Sequence, residues 1–168
     1  MKIKAMITTL INHITNKKET QSVSSLTITF AYMNKSRDEL YHLAFTDKLT
    51  NVYNRNMLEE FREKFDTMDL FVTIIDIDNL KQVNDTKGHH EGDILIKEIA
   101  NKIQEQSNWV FRLGGDEFLA LGTTPIIDIP GASFGIVFKL SNMSLHEVMR
   151  TADFLMYENK RERSIPHE

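Results

Sequence analysis

The stretch Trp109-Val110-Phe111-Arg112-Leu113-Gly114-Gly115-Asp116-Glu117-Phe118-Leu119-Ala120-Leu121 decides the fold. Two short apolar runs flank a Gly-Gly pair, and two acids follow the pair. Glycines reach the positive φ that a tight turn between paired strands demands, so this is a strong β-hairpin signal. A hairpin needs a sheet to join. Upstream, Leu70 to Asp76 (LFVTIID) is a short, β-branched apolar run that reads as a buried strand. Downstream, Ala132 to Leu140 (ASFGIVFKL) reads as another.

Helical spacing fills the gaps. Asn54 is placed to cap a helix whose stripe is Met57, Leu58, Phe61 and Phe65. Gly92 and Asp93 are expected to open a helix carrying Leu95, Ile99 and Ile103 on one face. Ser144 with Glu147 forms a capping box for a last helix with core face Leu145, Val148, Met149, Ala152, Leu155 and Met156. Strands and helices mix around a central hairpin, which predicts an α+β layer of helices on a largely antiparallel sheet. Trp109 is expected in the core and Tyr157 beside the last helix, its hydroxyl on a polar partner.

Three groups of polar residues carry chemistry. Asp76 and Asp78 close a buried strand, and unpaired charge there is costly unless it has a partner. Asp116 and Glu117 sit at the Gly114-Gly115 turn. Acids from separate segments converging on one point are what a hard cation such as Mg²⁺ or Mn²⁺ needs, and two such ions clamp phosphate oxygens. A surface turn with solvated acids reads equally well from either segment alone. Between them, residues 81–93 form a polar stretch that runs into a helix start. There Asn84 and Asp93 offer an amide and a carboxylate suited to a guanine edge, and Lys81 a point charge for phosphate. Taken singly, each has a bland alternative: turn former, N-cap and solvated lysine.

Taken together, these segments resemble the GGDEF domain, the diguanylate cyclase family. Arg112 to Phe118 resembles its R-x-G-G-D-E-F signature. Thr46-Asp47-Lys48-Leu49-Thr50 with Tyr53-Asn54-Arg55 resembles its opening D-x-L-T-x-x-x-N-R. Asp76-Ile77-Asp78-Asn79-Leu80-Lys81 resembles D-I-D-x-F-K. Asn84-Asp85-Thr86-Lys87-Gly88-His89 with Gly92-Asp93 resembles N-D-x-x-G-H-x-x-G-D. Ser133-Phe134-Gly135 and Ala152 to Lys160 resemble the S-x-G strand and the A-D-x-A-L-Y-x-A-K helix. The motifs run in the family's order from Asp47 to Lys160.

The resemblance implies a palm-like, nucleotidyl-cyclase type of sheet. It implies condensation of two GTP into cyclic di-GMP and two pyrophosphates by a homodimer, each subunit holding one GTP. It implies Mg²⁺, with Mn²⁺ as an alternative, on Asp76, the Ile77 carbonyl and Asp116. Asp116 would also accept the 3′-hydroxyl proton, with Glu117 supporting the metals. Lys81 would steady phosphate charge, Asn84 and Asp93 would read guanine, Gly114-Gly115 would lie over the triphosphate, and Lys160 would reach the phosphates.

The chain departs from that pattern in several places. Leu80 stands for a usual Phe and Lys87 for a usual aromatic. Four residues after Lys160, where the family often has Arg, stands Ser164, with Arg161 and Arg163 as candidate substitutes. The family's inhibitory product site is an R-x-x-D stretch before the Gly-Gly strand. Here it reads Glu105-Gln106-Ser107-Asn108, so feedback through it is not expected. Only Leu119 to Gly131 links the hairpin to the next strand, where the family inserts a helix and a hairpin. Pro125 and Pro130 forbid a packed helix there. The reading is therefore a shortened member, with a silent GTP-binding or protein-interaction module as the alternative to an enzyme.

The 168 residues suit one compact domain at 46–168 and an N-terminal extension at 1–45. Thr15 to Ser25 is the best linker candidate. Leu26, Phe30, Met33, Leu40 and Leu43 recur at near-helical spacing, and Ser36 with Glu39 is placed to restart a helix at Arg37. A formal charge of -4 argues against nucleic-acid partners, and Cys 0 excludes disulfides and thiol nucleophiles. No apolar run approaches the roughly 20 residues that span a bilayer, and Met1 to Lys18 makes a poor signal peptide, so a cytoplasmic protein without membrane partners is expected.

Overall fold

A computed structural model of the chain describes residues 37–163, together with Thr29, Asn34 and Lys35. The expected linker, most of the face from Leu26 to Met33, the capping Ser36 and Ser164 lie outside the described residues. Residues 37–45 are helical. The chain divides into two units, Met1–His42 and Leu43–Glu168. The second holds strands β1 (Tyr53–Asn54), β2 (Leu70–Ile77), β3 (Trp109–Gly114), β4 (Glu117–Gly122) and β5 (Ala132–Lys139), and helices α1 (Arg55–Asp66), α2 (Leu80–Lys87), α3 (His89–Gln104) and α4 (Leu145–Arg163).

The strands form one mixed sheet in the order β1-β3-β4-β2-β5. Only the short β1–β3 pair is parallel; β3–β4, β4–β2 and β2–β5 are antiparallel. The α+β palm-like architecture is as expected. β2 lies between β4 and β5, covered on both faces. That explains its largely apolar sequence, with Thr73 and Asp76 as the exceptions: Val72 and Ile74 face one core, Ile75 and Ile77 the other. The first core joins them to Leu58, Phe65, Phe111, Leu119, Val148 and Met156 from α1, the hairpin and α4. The second gathers Ile96, Ile99 and Ile103 of α3.

Two close approaches fix the helices. A β-carbon on Gly135 would stand 2.1 Å from the Ala152 carbonyl oxygen and 2.3 Å from the Met156 nitrogen. Backbone cannot yield as a side chain can, so only glycine lets α4 lie directly on β5. The N–H of Leu145, at the start of α4, donates to Asp66 Oδ1 at 2.6 Å. Asn54 caps α1 as expected, accepting from the Met57 N–H at 3.2 Å. Lys139 is fully buried, and its ammonium donates to the carbonyls of Asp66, Met68 and Leu140.

The shortened connection after β4 has no helix, in keeping with its prolines. Its apolar residues are nonetheless used: Ile126 and Ile129 plug the α3 core. Polar bonds seat it. Gln106 accepts from the Ile127 N–H at 3.2 Å and donates to the Asp128 carbonyl at 2.8 Å, while Lys102 donates to the Pro130 carbonyl. Asn108 Oδ1 accepts from the Thr123 N–H. Gln106 and Asn108 are thus occupied in holding the loop.

Some expectations need correction. Residues 81–93 are two helices, with Gly88 at φ +89 between them, and α3 opens at His89 rather than at Gly92 and Asp93. Helix α2 is polar along most of its length and buries only Leu80, so no apolar stripe announces it. Leu155 is 42% exposed and Tyr157 58%, because the core face of α4 is Leu145, Val148, Ala152 and Met156, and residues 155 and 157 fall outside that stripe. Trp109 is half-buried, edge-on to Phe65.

Candidate active site

The two acidic segments meet. In the β2–β4 ladder Asp76 is the register partner of Glu117, and the N–H of Ile77 donates to the carbonyl of Asp116 at 3.1 Å. Asp76 and Asp116 therefore stand on adjoining strand ends, close enough for their charges to interact. Lys160 reaches in from α4 and donates to Asp76 Oδ1. Burial pushes the Asp76 carboxyl above its ordinary value; the bond and charge of Lys160 pull it down, and burial, helped by the smaller repulsions of Asp116 and Asp78, prevails. Burial works against the Lys160 ammonium, but Asp76, then Asp116 and Asp78, raise its pKa overall. The directions are compatible: Lys160 faces three carboxylates, whereas Asp76 faces one ammonium and two carboxylates.

The turn over this site is braced from behind. Arg112 Nε and Nη2 both donate to the Gly115 carbonyl, at 3.1 and 2.7 Å, and Nη1 donates to Asp47 Oδ1 at 3.1 Å. The same oxygen accepts from the Thr50 N–H and hydroxyl. Burial acts upward on Asp47, but the bonds from Thr50 and Arg112 prevail and lower its carboxyl. The D-x-L-T and R-x-G-G segments are thus one bracket, which carries Asp116 on its outer limb.

Across the sheet end lie the α2 and α3 residues. Asn84 is half-buried on α2, its side chain beside Gly92: a β-carbon at 92 would stand 1.9 Å from Asn84 Oδ1. Asp93 is exposed in the second turn of α3, and Lys81 is exposed in the first turn of α2. Gly114, Gly115 and Glu117 are exposed at the turn, Asp116 is half-buried and Ile77 buried. Two groups result, Asp76–Asp116–Lys160 at the strand ends and Asn84 with Gly92 at the helix pair. His89 is exposed at the start of α3.

The sequence reading missed the clamp around Asp78. Its Oδ1 accepts from the buried Ser133 hydroxyl at 2.7 Å, and its Oδ2 lies 3.5 Å from Arg163 Nη1. The signal was present: Asp78 and Ser133 both lie in the quoted motifs. Among the described residues no three His, Cys, Asp or Glu side chains converge as a metal site. Two carboxylates and a backbone carbonyl still suit Mg²⁺, which keeps several water or phosphate oxygens. No helix among the described residues is long and apolar enough to cross a membrane.

Comparison with known proteins agrees with this geometry. The sequence profile described as "Diguanylate cyclase, GGDEF domain" matches residues 44–126. The probable diguanylate cyclase DgcJ of Escherichia coli (strain K12) is 32% identical over 162 residues, covering 79% of this chain and 32% of that protein. MucR of Pseudomonas aeruginosa, a bifunctional diguanylate cyclase and cyclic di-GMP phosphodiesterase, is 38% identical over 96 residues, covering 52% of this chain and 14% of its own. The chain thus spans a third or less of these relatives' lengths. The coiled coil and GGDEF domain of DgcB from Caulobacter crescentus, solved with c-di-GMP, superposes with a TM-score of 0.71 over 84% of this chain and 94% of that one. At 22% identity that likeness concerns the fold alone. Motifs, sheet order and relatives agree: the chain belongs to the GGDEF-domain family.

Proposed function

We propose that the chain is a diguanylate cyclase that joins two GTP molecules into cyclic di-GMP and releases two pyrophosphates. The observation that carries this is the register of β2 against the hairpin, which sets Asp76 beside Asp116, with Lys160 of α4 bonded to Asp76. Phosphoryl transfer asks for positioning and charge neutralisation more than for covalent chemistry, and these residues supply both.

In this reading Asp76, the Ile77 carbonyl and Asp116 hold Mg²⁺ or Mn²⁺. The ion supplies a positive charge for the phosphate oxygens and lowers the pKa of a bound hydroxyl. Asn84, whose side chain lies against Gly92, and Asp93 bind the guanine edge. Gly114-Gly115 lies over the triphosphate, and Lys81 and Lys160 meet its charge. Asp116 takes the proton of the 3′-hydroxyl, whose oxygen then bonds to the α-phosphorus of the GTP on the facing subunit as pyrophosphate leaves. Glu117, exposed beside Asp116, supports the metal charge. Each site holds one nucleotide, so the product needs a homodimer. In this reading the reaction takes place in the cytoplasm, where GTP is found, and neither a nucleic-acid nor a membrane partner is proposed.

The shortened connection favours one other reading, a GGDEF module that binds GTP or a partner protein without turnover. Purified protein incubated with GTP and Mg²⁺ over a range of protein concentrations separates the two by nucleotide chromatography. Cyclic di-GMP forming at a rate that rises faster than concentration supports a dimeric enzyme. Tight GTP binding with no cyclic product at any concentration supports the silent module.

A further inference from the structure

Helix α4 sends two cations toward the sheet end, one turn apart. Lys160 meets Asp76. Arg163 Nη1 donates to the Ala132 carbonyl at 2.8 Å and stands 3.5 Å from Asp78 Oδ2. Asp78 is itself held by the Ser133 hydroxyl, whose residue is wholly buried on β5. The last turn of α4 is thereby tied to the first residue of β5 and to the turn that leaves β2. Arg161 does something else: it bonds Glu158 on its own helix, its side chain 62% exposed.

We propose that Arg163 is a positioning residue, which holds the end of α4 so that Lys160 stays on Asp76, and which acts through protein contacts rather than by touching nucleotide. Helix ends fray when their last carbonyls and side chains lack partners. Lys160 lies one turn before Arg163 on α4, and a helical turn that is not held would scatter its long, rotamer-rich side chain. The Arg163 guanidinium already has two partners, and the closer is the backbone oxygen of Ala132, a residue held opposite Ile77 in the β2–β5 ladder. To reach a phosphate it would have to surrender both. Asp78 gains a role in the same stroke: the second acid of Asp76-x-Asp78 is the anchor of the clamp, one side of it Ser133 and the other Arg163.

The clamp stands on protein contacts alone; its consequence for nucleotide rests on the diguanylate cyclase reading. The test has two arms. Reductive methylation of lysines, followed by mass spectrometry, is run on the native chain, Arg163→Gln and Arg163→Lys. Lys160 labelling should rise roughly threefold to tenfold in Arg163→Gln and less in Arg163→Lys, as expected for loss of a charge-assisted hydrogen bond. Lys97, on α3 far from the clamp in sequence, should label alike in all three. Unchanged Lys160 labelling in both variants overturns the proposal, as does an equal rise at Lys97, which would mean general loosening. In the second arm a nonhydrolysable GTP analogue with Mg²⁺ is titrated into the native chain, Arg163→Gln, Lys160→Gln and the double variant. Arg163→Gln should weaken binding only while Lys160 is present. Equal weakening in both backgrounds would give Arg163 its own nucleotide contact and overturn the positioning role. Should the native chain bind no analogue, the cyclase reading fails, and the labelling arm still decides the clamp.

Discussion

Asn84 and Gly92 share one space: the Asn84 side chain occupies the place a β-carbon at 92 would need, 1.9 Å from its Oδ1. The pairing gives the Gly92-Asp93 motif a physical reason. The glycine is the absent side chain that lets α2 and α3 close around an amide held at the sheet end.

Gly92→Ala should therefore leave the fold standing and turn Asn84 aside, since the amide tip is the part that yields. The proposed guanine reader then loses a hydrogen bond. Titration calorimetry should find GTP affinity reduced about tenfold with little change for ATP, the scale of one hydrogen bond to a buried partner. Equal losses for both nucleotides would mean that Asn84 does not read the base.

Gly135→Ala is the contrasting case, because its neighbours are the Ala152 carbonyl and the Met156 nitrogen. Backbone must move, and α4 lifts from β5. Urea denaturation should show a loss of roughly 2–3 kcal/mol, the usual scale of overpacking. A loss below about 0.5 kcal/mol would contradict the close approach.

Gln106→Ala removes the two bonds that seat Ile127 and Asp128. We expect about 1–2 kcal/mol of destabilisation, since both bonds are near the surface. Proteolysis should then nick residues 123–131 faster than in the native chain. Wild-type resistance in the variant would show that Ile126 and Ile129, with Lys102 and Asn108, hold the loop without Gln106.

Asp47→Asn tests the bracket behind the turn. Its carboxyl lies below the ordinary 3.8, so the stability it adds is complete above the carboxylate range and is lost as pH falls through its folded value. The variant should be less stable than the native chain at neutral pH, by about 1 kcal/mol. The difference should shrink toward zero as pH falls below the unperturbed value. A difference that persists undiminished in acid would assign the effect to packing instead of charge.

Much of this was legible in the residues. The hairpin, β2 and β5 announced themselves because each strand is a short, mainly apolar run, and glycines mark the turn of the hairpin. Asn54 showed its cap because only a few side chains can serve there. Residues 81–93 hid two helices, since helix α2 buries only Leu80 and leaves no periodic stripe to read. The loop plug was hidden too. Ile126 and Ile129 sit beside prolines in a stretch with neither helical nor strand period, so nothing local marks them as core. Arg112 and Asp47 were visible as motif residues, but their contact spans 65 positions, a pairing that local patterning does not carry.

The central claim is that Asp76 and Asp116, set side by side by the β2–β4 register, carry GTP condensation. The most direct measurement is turnover of GTP with Mg²⁺ by the native chain beside Asp116→Asn, read by nucleotide chromatography. The account predicts cyclic di-GMP from the native protein and a rate at least about a hundredfold lower from the variant. Equal rates from the two proteins, or no cyclic product from the native one, would contradict it.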